Sequence, residues 1–318
     1  MIHVAIHPSQ FPEQVRADLL KSLRTREIQH KFHYESYKQA QKWLAVHEAH
    51  SPARNDSSCA AVYDAAFRWV ARKFQKTDIC VIGLGCGGGQ KDAALLRRFK
   101  SAGARSTYSA VDVSLPLVIV ARLRASRFAE STTGLVCDLE MASGIRAQLC
   151  GCSAPQRVLT FFGMIPNSEP DVILPRLRKL LRRGDVVLMS ANLAPGGDYR
   201  AGLKRVLPQY DNAETIDWLL TFLYDLGVER EDGKIKFSIE QSGAELLRIR
   251  ADFEFRRARA VKLGDETVQF AAGERVRLFY SYRYTPERLK SVLARFGFAI
   301  TEQWITPSEE EGVFAVHG

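Results

Sequence analysis

Residues 81–91 read Val-Ile-Gly-Leu-Gly-Cys-Gly-Gly-Gly-Gln-Lys, and this stretch decides the fold. An apolar run, 79–82, leads into it, and an amphipathic segment, 92–99, follows it. This order predicts a buried strand, a glycine-rich turn and the start of a helix, which is the context in which a glycine motif binds a ligand. Glycine suits such a turn because the backbone must bend sharply and approach the ligand with no Cβ in between.

A second predicted strand, 108–113, carries an acid near its carboxyl end. This acid is Asp112, in the sequence Tyr-Ser-Ala-Val-Asp-Val. A carboxylate at that place suits a ribose, because it can accept hydrogen bonds from both hydroxyl groups of the diol. The glycine loop and Asp112 together predict a site for a cofactor that contains a nucleoside.

The pattern of apolar residues divides the chain into four parts. Residues 1–75 read as a helical segment that covers the active site. Residues 76–193 alternate short strands and helices, which predicts an α/β fold with a doubly wound parallel sheet. Residues 194–272 interrupt this alternation and are expected to form an inserted substrate-binding lobe of α+β type. Residues 273–318 return to strands and are expected to complete the core sheet.

Composition restricts the class of protein and its partners. The 318 residues are 46% hydrophobic and 25% charged, with a formal net charge of +9. The first residues lack the layout of a signal peptide, and no apolar run reaches the ~18 residues that a membrane span requires. We therefore expect a cytoplasmic protein. Many basic residues fall on exposed positions of predicted helices, without the interleaved aromatic residues that stack bases, so a nucleic-acid partner is not expected.

The six cysteines predict neither a metal site nor a disulfide framework. Cys150-Gly-Cys152 resembles half of a metal or redox site, but no second group of Cys or His residues completes four ligands. Because the expected location is intracellular, all six are predicted to be unpaired thiols.

The spacing of the glycines distinguishes between two kinds of nucleoside cofactor. A dinucleotide site usually shows G-x-G-x-x-G, whereas the glycines here are spaced by two. This spacing resembles the E/D-x-G-x-G-x-G loop of class I S-adenosylmethionine (SAM) methyltransferases, although Val81 replaces the leading acid. Asp138, at the end of the third strand, matches the place where that class contacts the adenine amine. A dinucleotide site and a purely structural tight turn are the alternatives. The residues predicted to bind SAM are Gly83, Gly85, Gly87, Lys91, Asp112 and Asp138.

Short motifs spread over most of the chain resemble the histidine-specific Nα-methyltransferase family of ergothioneine biosynthesis. Residues 32–36 and 48–54 are similar to its amino-terminal Tyr-rich segment and its Glu-Tyr-Tyr-Pro-Thr-Arg stretch. Phe-Phe-Gly-Met-Ile-Pro-Asn at 161–167 is similar to its Phe-Leu-Gly-Ser-Thr-Ile-Gly-Asn. Gln-Tyr-Asp-Asn at 209–212 and Leu-Phe-Tyr-Ser-Tyr-Arg-Tyr at 278–284 resemble its Ala-Tyr-Asp/Asn-Asp segment and its Thr-Glu-Val-Ser-Ala-Lys-Phe/Tyr strand.

This resemblance implies residue roles at the acceptor site. Asn167 and Tyr210 would be the catalytic residues that hold the amino and carboxylate groups of the acceptor, while Phe255, Phe279 and Ser281 would shape its side-chain pocket. The Glu that reads the imidazole in the family corresponds to Phe279. A phenyl ring cannot accept a hydrogen bond from an imidazole N–H, and loss of such a contact costs large discrimination factors. Histidine is therefore not expected to be the substrate.

The sequence as a whole predicts a SAM-dependent N-methyltransferase that acts on the amine of an amino acid or related small metabolite. Methyl transfer from a sulfonium is an in-line displacement, so the main task of the protein is to place an amine lone pair behind the methyl carbon. Two alternatives are an RNA- or peptide-directed methyltransferase, which would use the net positive charge to hold a polymer, and a non-catalytic SAM-binding protein.

Overall fold

Among its described residues, the amino-terminal part of the chain contributes one short strand and three α-helices. The computed structural model describes residues 3–50, 56–149, 154 and 156–318. The elements of this part are β1 (Ala5–Ile6), α1 (Pro12–Thr25), α2 (Tyr37–His50) and α3 (Ser57–Lys73). Between α1 and α2 the chain passes through a 3-10 turn, His30–His33. The helix α3 begins at Asp56, whose side chain caps the amide of Ser58.

The middle of the chain alternates strands and helices, as the sequence predicts. Its strands are β2 (Asp78–Leu84), β3 (Arg105–Asp112), β4 (Ser131–Val136), β5 (Gln156–Phe161) and β6 (Val186–Asn192). Its helices are α4 (Gln90–Ser101), α5 (Leu115–Ala125), α6 (Ile145–Gln148) and α7 (Pro170–Leu180). Six of the seven residues of β2 are buried, because helices cover both faces of a parallel sheet.

The lobe that follows consists of two helices and two antiparallel sheets. Its elements are α8 (Tyr199–Val206), α9 (Ala213–Asp225), β7 (Gly233–Ser242), β8 (Leu246–Phe255), β9 (Arg259–Leu263), β10 (Glu266–Phe270) and β11 (Arg275–Arg283). β8 pairs with β7 on one side and with β11 on the other, and β9 with β10 forms a hairpin. The sequence did not lead us to predict a strand at β7. Its alternating apolar residues, Ile235, Phe237 and Ile239, are the pattern that indicates one.

The last segment returns to the core sheet. It comprises α10 (Pro286–Arg295), β12 (Ala299–Ile305) and β13 (Glu311–His317). The eight strands of the core lie in the order β1-β4-β3-β2-β5-β6-β13-β12, with β13 antiparallel to both of its neighbours. The predicted α/β fold is confirmed by this order: the strand order reverses beside β2, and ligands of such sheets bind outside the strands' carboxyl ends.

Side chains of the core strands alternate between two hydrophobic layers. Cys80, Ile82 and Leu84 belong to the layer that also contains α7 and α10 residues, whereas Ile79 and Val81 belong to the layer with α3, α4 and α5. This alternation follows from the two-residue repeat of a strand. Because all five side chains are buried, the carboxyl end of β2 is held rigidly where the glycine loop begins.

Two of the predicted segments differ from the structure. The segment 1–75 is not only helical, because β1 pairs in parallel with β4 at the edge of the core sheet. The segment 273–318 does not lie wholly in the core, because β11 pairs with β8 in the lobe and only β12 and β13 complete the core sheet. Strand alternation reveals a strand but not its neighbour, so the sequence placed β11 in the wrong sheet.

The prediction of six unpaired cysteines is also wrong at Cys80. This residue is disulfide-bonded, whereas Cys59, Cys86 and Cys137 are free. Cys150 and Cys152 lie outside the described residues. Burial within a strand made Cys80 look like a small hydrophobe, but burial does not exclude pairing with a cysteine brought close by the fold.

The lobe and the amino-terminal segment share a hydrophobic core. Leu23, Ile28 and Phe32 pack with Trp218 of α9 and with the buried face of β8 and β11. A backbone hydrogen bond from Ile28 to the carbonyl of Arg277 adds the segment to the edge of β11. The amino-terminal segment is thereby held between the lobe and the core sheet. No helix among the described residues is long and apolar enough to cross a membrane.

Candidate functional site

A cavity of about 340 Å³ opens at the carboxyl ends of the central strands. Its walls come from the glycine loop, from the ends of β3, β5 and β6, and from the amino-terminal segment. A volume of this size and this position in an open α/β sheet are typical of a cofactor site. Of the predicted site residues, those that line it are Gly85, Gly87, Lys91, Asp112, Asp138 and Asn167.

The glycine loop has the backbone conformation that the sequence predicts. Gly85 and Gly87 have φ of 64° and 50°, in the left-handed region that L side chains rarely adopt. A Cβ on Gly87 would lie 2.7 Å from the ring of Trp43, which faces the loop from α2. A side chain at Gly87 is therefore excluded for two reasons, backbone conformation and space.

Gly83 does not line the cavity, in contrast to the prediction. It lies within β2, and a Cβ there would be 2.7 Å from the hydroxyl of Tyr108 and closer still to the carboxylate of Asp92. Asp92 accepts hydrogen bonds from Tyr108 (2.5 Å) and Thr160 (2.7 Å). Gly83 thus makes room for a buried carboxylate that ties α4 to β3 and β5, and its contact with SAM stays a prediction.

Asp112 lies at the carboxyl end of β3 with only 7% of its surface exposed. Its two carboxylate oxygens accept hydrogen bonds from the backbone N–H groups of Gly87 (2.9 Å) and Ser114 (3.0 Å). Burial raises the pKa of Asp112 to about 6, and these N–H groups act in the opposite direction. Each oxygen retains a lone pair for a further donor, as a ribose diol requires.

Asp138 is held by a buried lysine that the sequence analysis did not single out. The ammonium of Lys31 lies 3.2 Å from Asp138 and donates a hydrogen bond to Asp18 of α1 (2.5 Å). Lys31 and Asp18 are 7% and 5% exposed. Burial acts to lower the pKa of Lys31, but Asp138 and Asp18 outweigh it and raise the pKa. The wall of the cavity at Asp138 therefore depends on the amino-terminal segment.

Lys91 lines the cavity but is partly neutralised within the protein. Its Nζ lies 3.5 Å from the carboxylate of Glu311, at the start of β13, and donates to the hydroxyl of Tyr63 (2.5 Å). Glu311 also accepts hydrogen bonds from Tyr63 and Cys59. Burial acts to raise the pKa of Glu311, and the positive charge of Lys91 with these hydrogen bonds lowers it overall. Glu311 and Tyr63 escaped the sequence analysis because they are distant in sequence.

Asn167 presents an unsatisfied acceptor at the cavity. It closes a 3-10 turn, Ile165–Asn167, beyond the end of β5. Its Nδ2 donates to the carbonyl of Gly163 (3.3 Å), while its Oδ1 is buried and has no hydrogen-bond partner among the described residues. A buried oxygen without a donor costs free energy unless a ligand supplies one. This atom therefore marks a binding position for an N–H or O–H group.

Tyr210 and Ser281 do not line the cavity but form a network directly behind it. The Tyr210 hydroxyl donates to Ser281 Oγ (3.0 Å), which also accepts from Asn192, a residue of the cavity wall (3.3 Å). Ser281 Oγ accepts twice, so its own proton is left for another acceptor. Arg283 donates to the Tyr210 oxygen through Nε (3.2 Å) and Nη2 (3.0 Å).

Arg283 places a buried positive charge at the base of this network. The residue is 6% exposed, and its remaining hydrogen bonds go to the carbonyls of Leu193 and Glu310. No acidic side chain of the described residues forms an ion pair with it. A buried guanidinium without a carboxylate is unusual, because charges leave water only when they are paired. The arrangement is electrostatically suited to an anionic group of a ligand.

The two predicted pocket aromatics lie outside the cavity. Phe255 is stacked on Phe270 with ring centroids 4.8 Å apart, within the hydrophobic core of the lobe. Phe279 is 6% exposed and is covered on the cavity side by His30, whose ring is stacked on it at 4.8 Å. The family resemblance assigned both aromatic residues to the side-chain pocket, but only the fold shows which other rings surround them.

No group of three or more His, Cys, Asp or Glu residues capable of holding a metal ion occurs in the part of the chain that the structure describes. The residues that the sequence analysis missed at the cavity come mainly from the amino-terminal segment. They are His30, Lys31, Tyr34 and Trp43. Residues 30–34 are aromatic or basic, and aromatic residues are more often buried than exposed. This composition could have indicated that the segment packs against the rest of the protein.

The amino-acid sequence matches the model of one known protein family. The family model described as "Histidine-specific methyltransferase, SAM-dependent" matches residues 60–317. No match to a curated protein was found. The family match covers the glycine loop, the lobe and the final strands, and it begins within α3.

Solved structures of several methyltransferases are similar to the chain at low identity. The CcbJ methyltransferase from Streptomyces caelestis is 12% identical, with 80% of this chain and 88% of that chain covered and a TM-score of 0.39. The Burkholderia thailandensis 1,6-didemethyltoxoflavin-N1-methyltransferase is 15% identical, with 87% and 89% covered and a TM-score of 0.38. Similarity at this level does not identify the substrate or the roles of individual residues, which are argued below from the geometry of the chain itself.

Proposed function

The chain belongs to the family of histidine-specific, SAM-dependent methyltransferases, and we propose that it methylates the amine of a small amino acid or related metabolite other than histidine. The observation that carries this proposal is the buried, unpartnered Oδ1 of Asn167 at the wall of the cavity. The cytoplasmic location expected from the sequence stays a prediction.

The residues of the cavity fit SAM. Asp112 offers a buried carboxylate for the ribose, and Asp138 offers an acceptor for the adenine amine beside Lys31. Gly85 and Gly87 leave room for the methionine part, and Lys91 would face its carboxylate while paired with Glu311. The cofactor, when bound, supplies an electrophilic methyl group on a sulfonium. The contribution of the protein is to hold the acceptor nitrogen in line with it and to exclude water.

An amine fits the position next to Asn167. An amine nitrogen has N–H groups to donate and one lone pair that must remain free for attack. An acceptor such as Asn167 Oδ1 binds an N–H and leaves the lone pair unblocked, whereas a second N–H donor at that place would occupy it. The Asn167 side chain is held by its hydrogen bond to the carbonyl of Gly163. Gly163 is itself held in place, because its N–H donates a hydrogen bond to Ser190 Oγ (3.0 Å).

A carboxylate on the acceptor fits the network of Arg283, Tyr210 and Ser281. The positive charge of Arg283 favours an anion, and the two hydroxyl groups can redirect their protons towards it. Asn192 joins this network to the cavity wall. The family resemblance assigns carboxylate binding to Tyr210 as well, so two independent arguments support an amino acid as acceptor.

The imidazole of histidine does not suit the proposed pocket for the acceptor's side chain. The Glu that reads an imidazole in the family corresponds to Phe279, and the surrounding rings of His30, Tyr210 and Trp218 offer no carboxylate either. An imidazole N–H placed there would lose its hydrogen bonds to water without replacement.

The proposal is tested by incubating the protein with SAM and a panel of amino acids and small amines, followed by mass spectrometry. We expect a mass gain of one or more methyl groups on an amino acid other than histidine. The variant Asp112→Ala serves as the control that removes cofactor binding. Histidine as the best substrate, or methylation confined to RNA or peptides, would overturn the proposal.

A further inference from the structure

We infer that His30 closes the acceptor end of the cavity and restricts the substrate to amino acids with a small side chain. This inference rests on the proposed function, because it concerns the side chain of the acceptor in the same site. His30, from the amino-terminal segment, is thereby added to the proposed acceptor site as a residue that determines specificity.

His30 fills the space in front of Phe279. The two rings are stacked at 4.8 Å with an interplanar angle of 16°, and Trp218 also contacts Phe279, edge-on at 5.8 Å. The ring of Tyr280 lies 4.4 Å from His30. His30 lines the cavity, whereas Phe279 does not. The surface that a ligand meets in this direction is therefore the imidazole of His30 and not the phenyl ring of Phe279.

Hydrogen bonds hold the His30 ring in this position. Its Nε2 accepts from the backbone N–H of Tyr280 (3.1 Å), which places the proton on Nδ1. Nδ1 is buried and lies towards the backbone of Asn167. Burial first, and then the nearby charges of His33, Arg277 and Arg248, lower the pKa of His30 well below its usual value. The ring is thus neutral, is held at Nε2 by β11, and keeps Nδ1 without a hydrogen-bond partner among the described residues.

The ring also lies between the two groups proposed to hold the acceptor. Phe279 and Ser281 are two residues apart on β11 and therefore share one face of the strand. The Tyr210 ring lies 6.4 Å from Phe279, and His30 is stacked on Phe279. An acceptor that places its amine at Asn167 and its carboxylate towards Tyr210 and Ser281 has its α-carbon beside this ring pair. Its side chain then points at His30.

The length of that side chain is limited as a result. In this placement we expect a hydrogen atom, a methyl or a hydroxymethyl group to fit beside the His30 ring, whereas an imidazole or phenyl ring would overlap it. Moving His30 aside would break the hydrogen bond from Tyr280 and the stack on Phe279. We therefore expect glycine, alanine or serine to be better acceptors than phenylalanine or histidine.

The test compares kcat/KM over these five amino acids for the wild type and two variants. For the wild type we expect each small acceptor to exceed phenylalanine and histidine by at least about tenfold, the lower end of what steric exclusion achieves. His30→Ala removes the obstacle and should reduce this ratio about tenfold or more, mainly by improving the large acceptors. His30→Phe keeps the bulk and should preserve the exclusion, which makes it the matched control.

Separate outcomes identify which idea fails. SAM binding without methylation of any amino acid or amine would contradict the proposed function itself. Methylation of phenylalanine by the wild type as efficiently as of glycine would overturn the inference alone, and this measurement needs no variant. If His30→Ala does not fold, Phe279→Ala provides a second opening behind the ring and should relax the exclusion in the same direction. An unchanged ratio in a folded, SAM-binding variant would also overturn it.

Discussion

The ammonium of Lys31 lies 3.2 Å from the carboxylate of Asp138, and both side chains are buried at the wall of the cofactor cavity. The lysine comes from the amino-terminal segment and the aspartate from the turn after β4. Asp18 of α1 completes the cluster. The amino-terminal segment is therefore attached to the cofactor site through charge as well as through hydrophobic contact.

Replacing Lys31 by Met should lower the free energy of unfolding by about 3–5 kcal/mol, because two buried carboxylates lose their only cation in this cluster. Urea denaturation at neutral pH measures the effect. Lys38→Met is the matched control, since Lys38 pairs with Asp225 on the surface and an exposed pair contributes about 1 kcal/mol or less. Equal effects of the two variants would show that the Lys31 cluster is not effectively buried.

Asp112→Asn should weaken SAM binding at least tenfold. The variant keeps the shape of the side chain but replaces one acceptor oxygen by a donor, and hydrogen bonds to a charged group contribute about 1.5–3 kcal/mol each. Isothermal titration calorimetry with SAM measures the loss. Unchanged affinity would exclude Asp112 from the ribose site. Asp252→Asn, in the lobe away from the cavity, provides a control of the same chemistry.

The affinity for SAM should fall as the pH falls below about 6. Burial raises the pKa of Asp112 to about 6, and only the ionised carboxylate accepts hydrogen bonds from both ribose hydroxyls. The affinity for SAM should then be close to its maximum at pH 8 and about tenfold lower at pH 5. Burial also raises the pKa of Glu140, in the same cavity, to about 7. Calorimetry across this range on wild type, Asp112→Asn and Glu140→Gln assigns the transition, which should be lost only in Asp112→Asn.

Arg283→Gln should raise KM for the amino-acid acceptor about tenfold or more and leave SAM affinity within about twofold. The physical reason is loss of the buried charge behind Tyr210 and Ser281. Arg283→Lys keeps the charge and should recover part of the loss. The decisive comparison is with the decarboxylated amine of the same acceptor, for which the variant and the wild type should have similar KM values. A loss of equal size for both acceptors would indicate a structural role only.

Removing one partner of the buried Arg157–Asp185 pair should destabilise the protein strongly. Arg157 of β5 donates two hydrogen bonds to Asp185, and the side chains are 1% and 4% exposed. Asp185→Asn leaves a buried guanidinium without its counter-charge, which should cost about 3–5 kcal/mol of unfolding free energy. Asp78→Asn disrupts a pair of the same type, with Arg105, that is more than half exposed on both sides, and should cost about 1 kcal/mol or less. Thermal and urea unfolding compare the two.

Much of the cofactor half of the site was predictable from local sequence. Gly85, Gly87 and Asp112 belong to a strand, a turn and a neighbouring strand whose geometry follows from apolar alternation and glycine content. Parallel strands align their carboxyl ends at one edge of the sheet, so residues 25 positions apart converge there without any further information. Gly83 is the exception, because its packing against Asp92 depends on the helix that follows.

The acceptor half was not predictable in the same way. Phe279 was identified as a changed residue, but the ring that covers it, His30, is about 250 positions away and belongs to a segment with no strong periodic pattern. Arg283 was visible in the sequence as one of many basic residues. Its burial without an acidic partner emerges only when β11 is placed against the lobe and the core.

The sequence by itself determined that this chain has a doubly wound sheet with a glycine-rich cofactor loop and an acid at the end of the next strand. These features depend on two-residue and helical periodicities and on the conformational freedom of glycine, which are local properties. The tertiary structure alone decided which sheet β11 joins, which lysine holds Asp138 and which ring closes the acceptor end. Those contacts join side chains far apart in the chain, and their energies depend on burial, which only the packed fold defines.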